Sequence, residues 1–177
     1  MVTGGAGYIG SVLVERLIEE GHRPIVFDNL QTGHRAAVHP DARFFRGDVR
    51  NRADLDRAFG DYPCEATIHL AANSVVEESV NDPSKYFEVN VGGGINLLRA
   101  MLDHGVLRLI FSSTAAVYGE PDEVPIDETA ATRPTNPYGV SKLMFERVLD
   151  AYADAYDLHF VALRYFNVFG PRQDPES

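Results

Sequence analysis

TGGAGYIG, residues 3–10, places Gly4, Gly7 and Gly10 three positions apart, between a short apolar start and an amphipathic stretch. A backbone that clusters glycines there must turn sharply and come close to something. In such a turn the first glycine permits the tight reversal, the second lets a pyrophosphate reach the main chain, and the third lets helix and strand pack in contact. The phosphate would then sit at the helix N-terminus. The plainer alternative is a turn that uses glycine for its conformation alone.

Outward from this turn, apolar runs and helical periods alternate, the pattern of an α/β fold with a doubly wound, mostly parallel sheet and helices on both faces. Strands are expected at residues 2–3, 24–28 (PIVFD), in ARFFRGDV to about Gly47, and at 66–72, 107–114 and 159–166. Helices are expected over 8–20, stopped by Gly21, over 54–59, over 83–102, and from an Asn136–Pro137 cap to about Tyr156. Gly92, Gly93 and Gly94 interrupt the third of these, and each costs a helix about 1 kcal/mol relative to alanine, so close packing on the sheet must compensate. A loop, PRQDPES, ends the chain.

At 177 residues and 45% hydrophobic, the chain suffices for one domain, residues 1–177, with a sizeable core. The net charge of −10 offers no basic stripe, so nucleic acid is not an expected partner. No apolar run is long enough for a membrane span, the start lacks a secretory pattern, and Cys64 is the single cysteine. A soluble, cytoplasmic protein is the expectation.

Asp28, at the end of the second strand, lies 18 residues past Gly10. A carboxylate there can accept hydrogen bonds from both ribose hydroxyls of NAD and repels the 2′-phosphate of NADP. Tyr138 and Lys142, in NPYGVSK, share one helix face. An ammonium fixed near a phenol favours the phenolate, which makes the pair a workable acid or base. Ser112, Ser113 and Thr114 close the fifth strand at its carboxyl end, where ligands bind in open α/β sheets, so a hydroxyl there can meet Tyr138 over a shared substrate. His69 reads as a packed core histidine, because no residue at ligand spacing accompanies it, and no metal site is expected. Cys64 reads as inert. Met144, Phe145, Val148 and Leu149 read as core, with a dimer seam as the other use of such a stripe.

TGGAGYIG, FDNL, GDV, HLAA, FEVNVGG, FSSTAAVYG, NPYGVSK and RYFNVFGPRQDP follow one another across nearly the whole chain. In this order they resemble the extended short-chain dehydrogenase/reductase superfamily, and within it the NAD-dependent epimerase/dehydratase family, most closely nucleotide-sugar 4-epimerases. The resemblance implies that Gly4, Gly7 and Gly10, with Tyr8 and Ile9 between them, hold the NAD pyrophosphate. It implies Asp28 and Asn29 at the adenosine ribose, Asp48 and Val49 at the adenine, Ala71 and Ala72 along the nicotinamide half, and Lys142 on the nicotinamide ribose. Thr114, Tyr138 and Lys142 match the catalytic Ser/Thr, Tyr and Lys, and Asn167 matches a position that, with Thr114 and Tyr138, contacts a UDP-sugar.

The implied chemistry is removal of a proton from the sugar 4-hydroxyl by Tyr138, assisted by Thr114, while NAD oxidises the same carbon and afterwards reduces it from the other face. Relatives that dehydrate sugars carry an acidic pair after the threonine. Ala115 and Ala116 stand here instead, and a methyl group does no acid or base work, so epimerisation ranks above dehydration. Two departures point to a fragment: only three residues precede the glycines, so the first strand is truncated, and the C-terminal substrate lobe of the family is absent. The alternatives are a non-catalytic dinucleotide-binding module and a dehydratase or reductase of the same superfamily. GPRQDP leans toward larger UDP-sugars, and the resemblance implies a homodimer through helices near 84–102 and 137–156.

Overall fold

The computed structural model describes residues 1–173, and the last four positions of the expected terminal loop, 174–177, lie outside them. Strands β1 (Val2–Thr3), β2 (Ile25–Asp28), β3 (Arg43–Arg46), β4 (Thr67–His69), β5 (Arg108–Thr114) and β6 (His159–Tyr165) form one sheet in the order β3-β2-β1-β4-β5-β6. Every pairing is parallel. The doubly wound α/β expectation therefore holds. Successive residues of a strand face opposite sides, so Val26 joins one core and Phe27 the other. One side carries Phe27, Leu55, Leu97, Phe111, Phe145 and Leu149 beneath α2 (Arg52–Asp61), α5 (Gly94–Asp103) and α6 (Pro137–Tyr156). The other carries Val2, Val14 and Val26 beneath α1 (Tyr8–Glu19).

Local chemistry sets the ends of these elements. Helix α1 stops where Gly21 takes φ of +83° and the His22 amide donates back to the Leu17 carbonyl. Helix α6 begins where the Asn136 side chain accepts the Gly139 amide at 2.8 Å, with Pro137 in its first turn. Most expected strands are shorter by a residue at one end or both, and β4 by more: it ends at His69, leaving Ala71 and Ala72 in the loop after it.

The helix expected over 83–102 is three pieces: α4 (Pro83–Tyr86), a π-helical turn (Phe87–Gly93) and α5. The glycines belong to packing. A Cβ on Gly93 would stand 2.6 Å from a Val49 methyl, and one on Gly94 would stand 2.4 Å from the Phe145 ring. The compensation for Gly93 and Gly94 is therefore close approach to a loop side chain and to α6, not to the sheet as expected, while Gly92 meets nothing closer than the Phe87 carbonyl at 3.8 Å. Helix α3 (Val76–Asn81) was not expected. Met144 is a correction: it sits on the outward side of α6, 45% exposed, while Phe145 and Leu149 are buried and Val148 packs partly against them.

Candidate active site

A cleft of about 1030 Å³ runs along the carboxyl ends of the strands. It crosses the reversal of strand order between β1 and β4, where open α/β sheets place their ligands. Its lining includes Gly4, Gly7, Tyr8, Ile9, Gly10, Asp28, Asn29, Asp48, Val49, Ala71, Ala72, Thr114, Tyr138, Lys142 and Asn167. Every residue singled out in the sequence for a ligand or for chemistry lies on this one surface.

The glycine turn is built as its spacing required. Gly4 has φ of +72°, and a Cβ there would meet the Ala71 amide at 2.6 Å. Gly10 has no room at all: its Cβ would stand 2.2 Å from the Gly4 carbonyl oxygen. Gly7, by contrast, is nearly open, with its closest contact at 3.4 Å, and it caps α1 without any side-chain bond. The positive end of α1 therefore faces the cleft undressed.

Asp28 is only 8% exposed. One oxygen accepts the Ala6 amide at 3.0 Å and the other the Leu30 amide at 2.8 Å, so the carboxylate also fixes the glycine turn from below. Asn29 donates to Asp48 at 3.0 Å, and Arg50 grips Asp48 through two nitrogens at 3.0 and 2.7 Å. The Arg50 guanidinium holds the Asp48 carboxyl far below the usual carboxylate range.

At the other end, Thr114 closes β5, and its oxygen accepts the Ala116 amide at 3.2 Å, which leaves the hydroxyl hydrogen free to donate. Tyr138 stands one turn before Lys142 on α6. The pairing differs from the sequence reading: the Lys142 nitrogen donates to the Ser112 carbonyl at 2.9 Å and lies 4.9 Å over the Phe111 ring and 6.0 Å from the Tyr138 ring. Burial pushes Lys142 down to about 7 and Tyr138 up, while the Thr114 hydroxyl pulls Tyr138 back down. In this arrangement the ammonium bonds the Ser112 carbonyl and not the phenol, and the Thr114 hydroxyl favours the ionised form of Tyr138.

Sequence reasoning gave Asn90 no role. On the π turn, Asn90 accepts the Asn73 amide at 2.9 Å, donates to the Asn73 carbonyl at 3.0 Å, and reaches the Ser141 hydroxyl at 2.9 Å; Ser141 in turn donates to the Tyr138 carbonyl at 2.7 Å. A buried asparagine beside three glycines in a helix was the available signal. Tyr86 backs Tyr138 edge-on at 6.4 Å, its hydroxyl within bonding distance of the Val75 carbonyl and of Glu78, and burial pushes its phenol to about 12. His69 is buried, bonded through Nδ1 to the Thr3 hydroxyl at 2.7 Å and stacked on Phe111, so the core reading stands. Among the described residues no cluster of potential metal ligands occurs, and no helix is long and apolar enough to cross a membrane.

Residues 1–177 match the NAD dependent epimerase/dehydratase family. A UDP-glucose 4-epimerase of Streptococcus mutans is 53% identical over 176 residues, which are 98% of this chain and 53% of that protein. The crystal structure of a Thermus thermophilus UDP-glucose 4-epimerase complex with NAD superposes with a TM-score of 0.95 at 48% identity, over 98% of this chain and 57% of that one. A UDP-N-acetylglucosamine 4-epimerase of Methanobrevibacter ruminantium, in complex with UDP-N-acetylmuramic acid, superposes at 0.91 with 37% identity, over 99% and 57%. The chain spans about half the length of the curated relatives it matches. With the whole chain inside the family match and the cleft built from its motifs, the protein belongs to the NAD dependent epimerase/dehydratase family.

Proposed function

We propose that residues 1–177 are the NAD-binding and catalytic part of a UDP-sugar 4-epimerase. The observation that carries the reading is the meeting of the glycine turn with Thr114, Tyr138 and Lys142 on one cleft. The cleft suits the cofactor: an uncapped helix N-terminus over a glycine that leaves its approach open for a pyrophosphate, a strand-end aspartate for a ribose, and room for a dinucleotide. Gly4, Gly7, Tyr8, Ile9 and Gly10 would hold the pyrophosphate, Asp28 and Asn29 the adenosine ribose, Asp48 and Val49 the adenine, and Ala71, Ala72 and Lys142 the nicotinamide half. When bound, NAD supplies reversible two-electron oxidation at the sugar carbon.

The chain's own residues handle the proton and the sugar. Tyr138 takes the proton from the 4-hydroxyl and later returns it, with Thr114 donating to the oxygen on which negative charge gathers. Asn167 contacts the sugar as the 4-keto form presents its second face. Lys142, poised near neutrality, can change charge at little cost when cofactor and substrate arrive. Ala115 and Ala116 leave the site without a second acid, which favours epimerisation over dehydration. UDP-glucose is the first substrate to offer and UDP-N-acetylglucosamine the second, as in the solved relative named for it.

In the protein expressed at the full length its gene encodes, Tyr138→Phe should abolish turnover while sparing NAD binding. Unchanged turnover removes Tyr138 from the mechanism, and retained NAD binding without any wild-type turnover favours a binding module. The proposal includes a cytoplasmic homodimer through the helices near residues 84–102 and 137–156, its dimeric state to be read by sedimentation.

A further inference from the structure

Glu146 follows Lys142 by one helical turn and Tyr138 by two, so it shares their face of α6, yet it does not line the cleft. It is 6% exposed and fully engaged. One oxygen accepts the Ser113 hydroxyl in a short hydrogen bond and Arg164 Nε at 3.1 Å; the other accepts Arg164 Nη2 at 2.7 Å. Arg164 lies directly across from Ser113 in the β5–β6 pairing. Its remaining nitrogen reaches the Tyr118 hydroxyl at 2.9 Å and the Glu128 carbonyl at 3.3 Å, in the loop that leads from Thr114 to α6.

Helix α6 therefore grips β5 at two consecutive residues: Lys142 on the Ser112 carbonyl and Glu146 on the Ser113 hydroxyl. The next residue is Thr114. Stability is a poor reason to keep such a pair, since a buried ion pair exchanged for apolar groups of like size is often neutral or stabilising. Resting on the epimerase reading, we infer that Glu146 and Arg164 are positioning residues that set the Thr114 hydroxyl against Tyr138 and Lys142. A strand end free to shift by an ångström relative to α6 loses the alignment on which proton transfer depends.

The test uses the protein at the full length its gene encodes. Glu146→Leu with Arg164→Met exchanges the pair for apolar side chains, and Ser113→Ala cuts the β5 link alone. The expected result is a kcat for UDP-glucose lowered about 10- to 100-fold in the double variant and several-fold in Ser113→Ala. KM, bound NAD and melting temperature should stay near wild type. A kcat within about twofold of wild type in Ser113→Ala, and in the double variant if it folds, overturns the inference. If the wild type itself shows no turnover, the epimerase reading fails. The positioning role is then decided by the Tyr138 phenol titration, followed by NMR of 13C-labelled tyrosine with Tyr138→Phe as the assignment control. A moved midpoint in either variant supports the inference, and an unmoved one overturns it.

Discussion

Burying the Lys142 ammonium costs the fold stability, and the amount can be measured. Its side chain is 3% exposed, its nitrogen bonds the Ser112 carbonyl, and among the described residues no carboxylate answers it. Burial takes its pKa from 10.5 to about 7. Between those values the unfolded chain binds the proton that the folded chain has released, so stability rises with pH from about 7 to about 10, and the cost is fully present below 7. Its full size is about 5 kcal/mol. Lys142→Met keeps the length and the apolar contact with Phe111 while removing the charge. In urea unfolding of the NAD-free chain at a series of pH values, wild type should gain stability across that window. The variant should run flat and lie higher at neutral pH, by up to about 5 kcal/mol. Above about pH 10 both should fall together, because burial also raises Tyr86, Tyr138 and Tyr165 and their ionisation then favours the unfolded chain. Parallel curves for the two proteins from pH 7 to 10 would refute the reasoning.

His69 makes the acid limb steeper in the same way: burial, aided by the nearby Lys142 charge, lowers it to about 3, so stability falls as pH drops through 6.5 toward 3, by about 2 kcal/mol at pH 5. His69→Phe should flatten that limb in acid titrations of unfolding; an unchanged slope counts against a buried neutral imidazole. Gly10→Ala, whose methyl would strike the Gly4 carbonyl, should cost about 3 kcal/mol or more in urea unfolding, and a loss under about 1 kcal/mol would show that the turn can relax. Gly60→Ala, within α2 and with only the His104 ring in ordinary contact at 3.9 Å, should stabilise by about 0.5–1 kcal/mol in the same assay, and destabilisation would contradict the contact geometry.

What could be read from the chain divides along physical lines. Periodicity reports burial, so the alternating strands and helices were legible, and Asn136–Pro137 located the start of α6 because caps depend on adjacent residues. The glycine turn was legible because only a backbone without Cβ makes it. Helix α3 was not, since six residues with two acidic ones in the first turn leave no apolar period to read. The π turn escaped for a different cause: it is stabilised by Asn90 bonding to Asn73 and Ser141, partners 17 and 51 positions away. The Tyr138–Lys142 spacing placed both groups on one face. The ammonium's actual partner, the Ser112 carbonyl, belongs to the strand beneath, and no sequence spacing encodes that contact.

The π turn at Phe87–Gly93 is, in helical arithmetic, one residue inserted into an α-helix. Each residue of an α-helix advances the rotation by about 100° and the axis by about 1.5 Å. Winding these same residues as regular α-helix would swing everything beyond them around the axis by about 100°. Leu97, Leu98 and Met101 would turn away from the sheet, or else Tyr86 and Asn90 would leave the back of Tyr138. The widened turn thus takes up its extra residue and keeps the faces before and after it in phase, so a further residue inserted between Tyr86 and Leu97 without such a turn would disturb the core or the cleft while leaving every individual side chain intact.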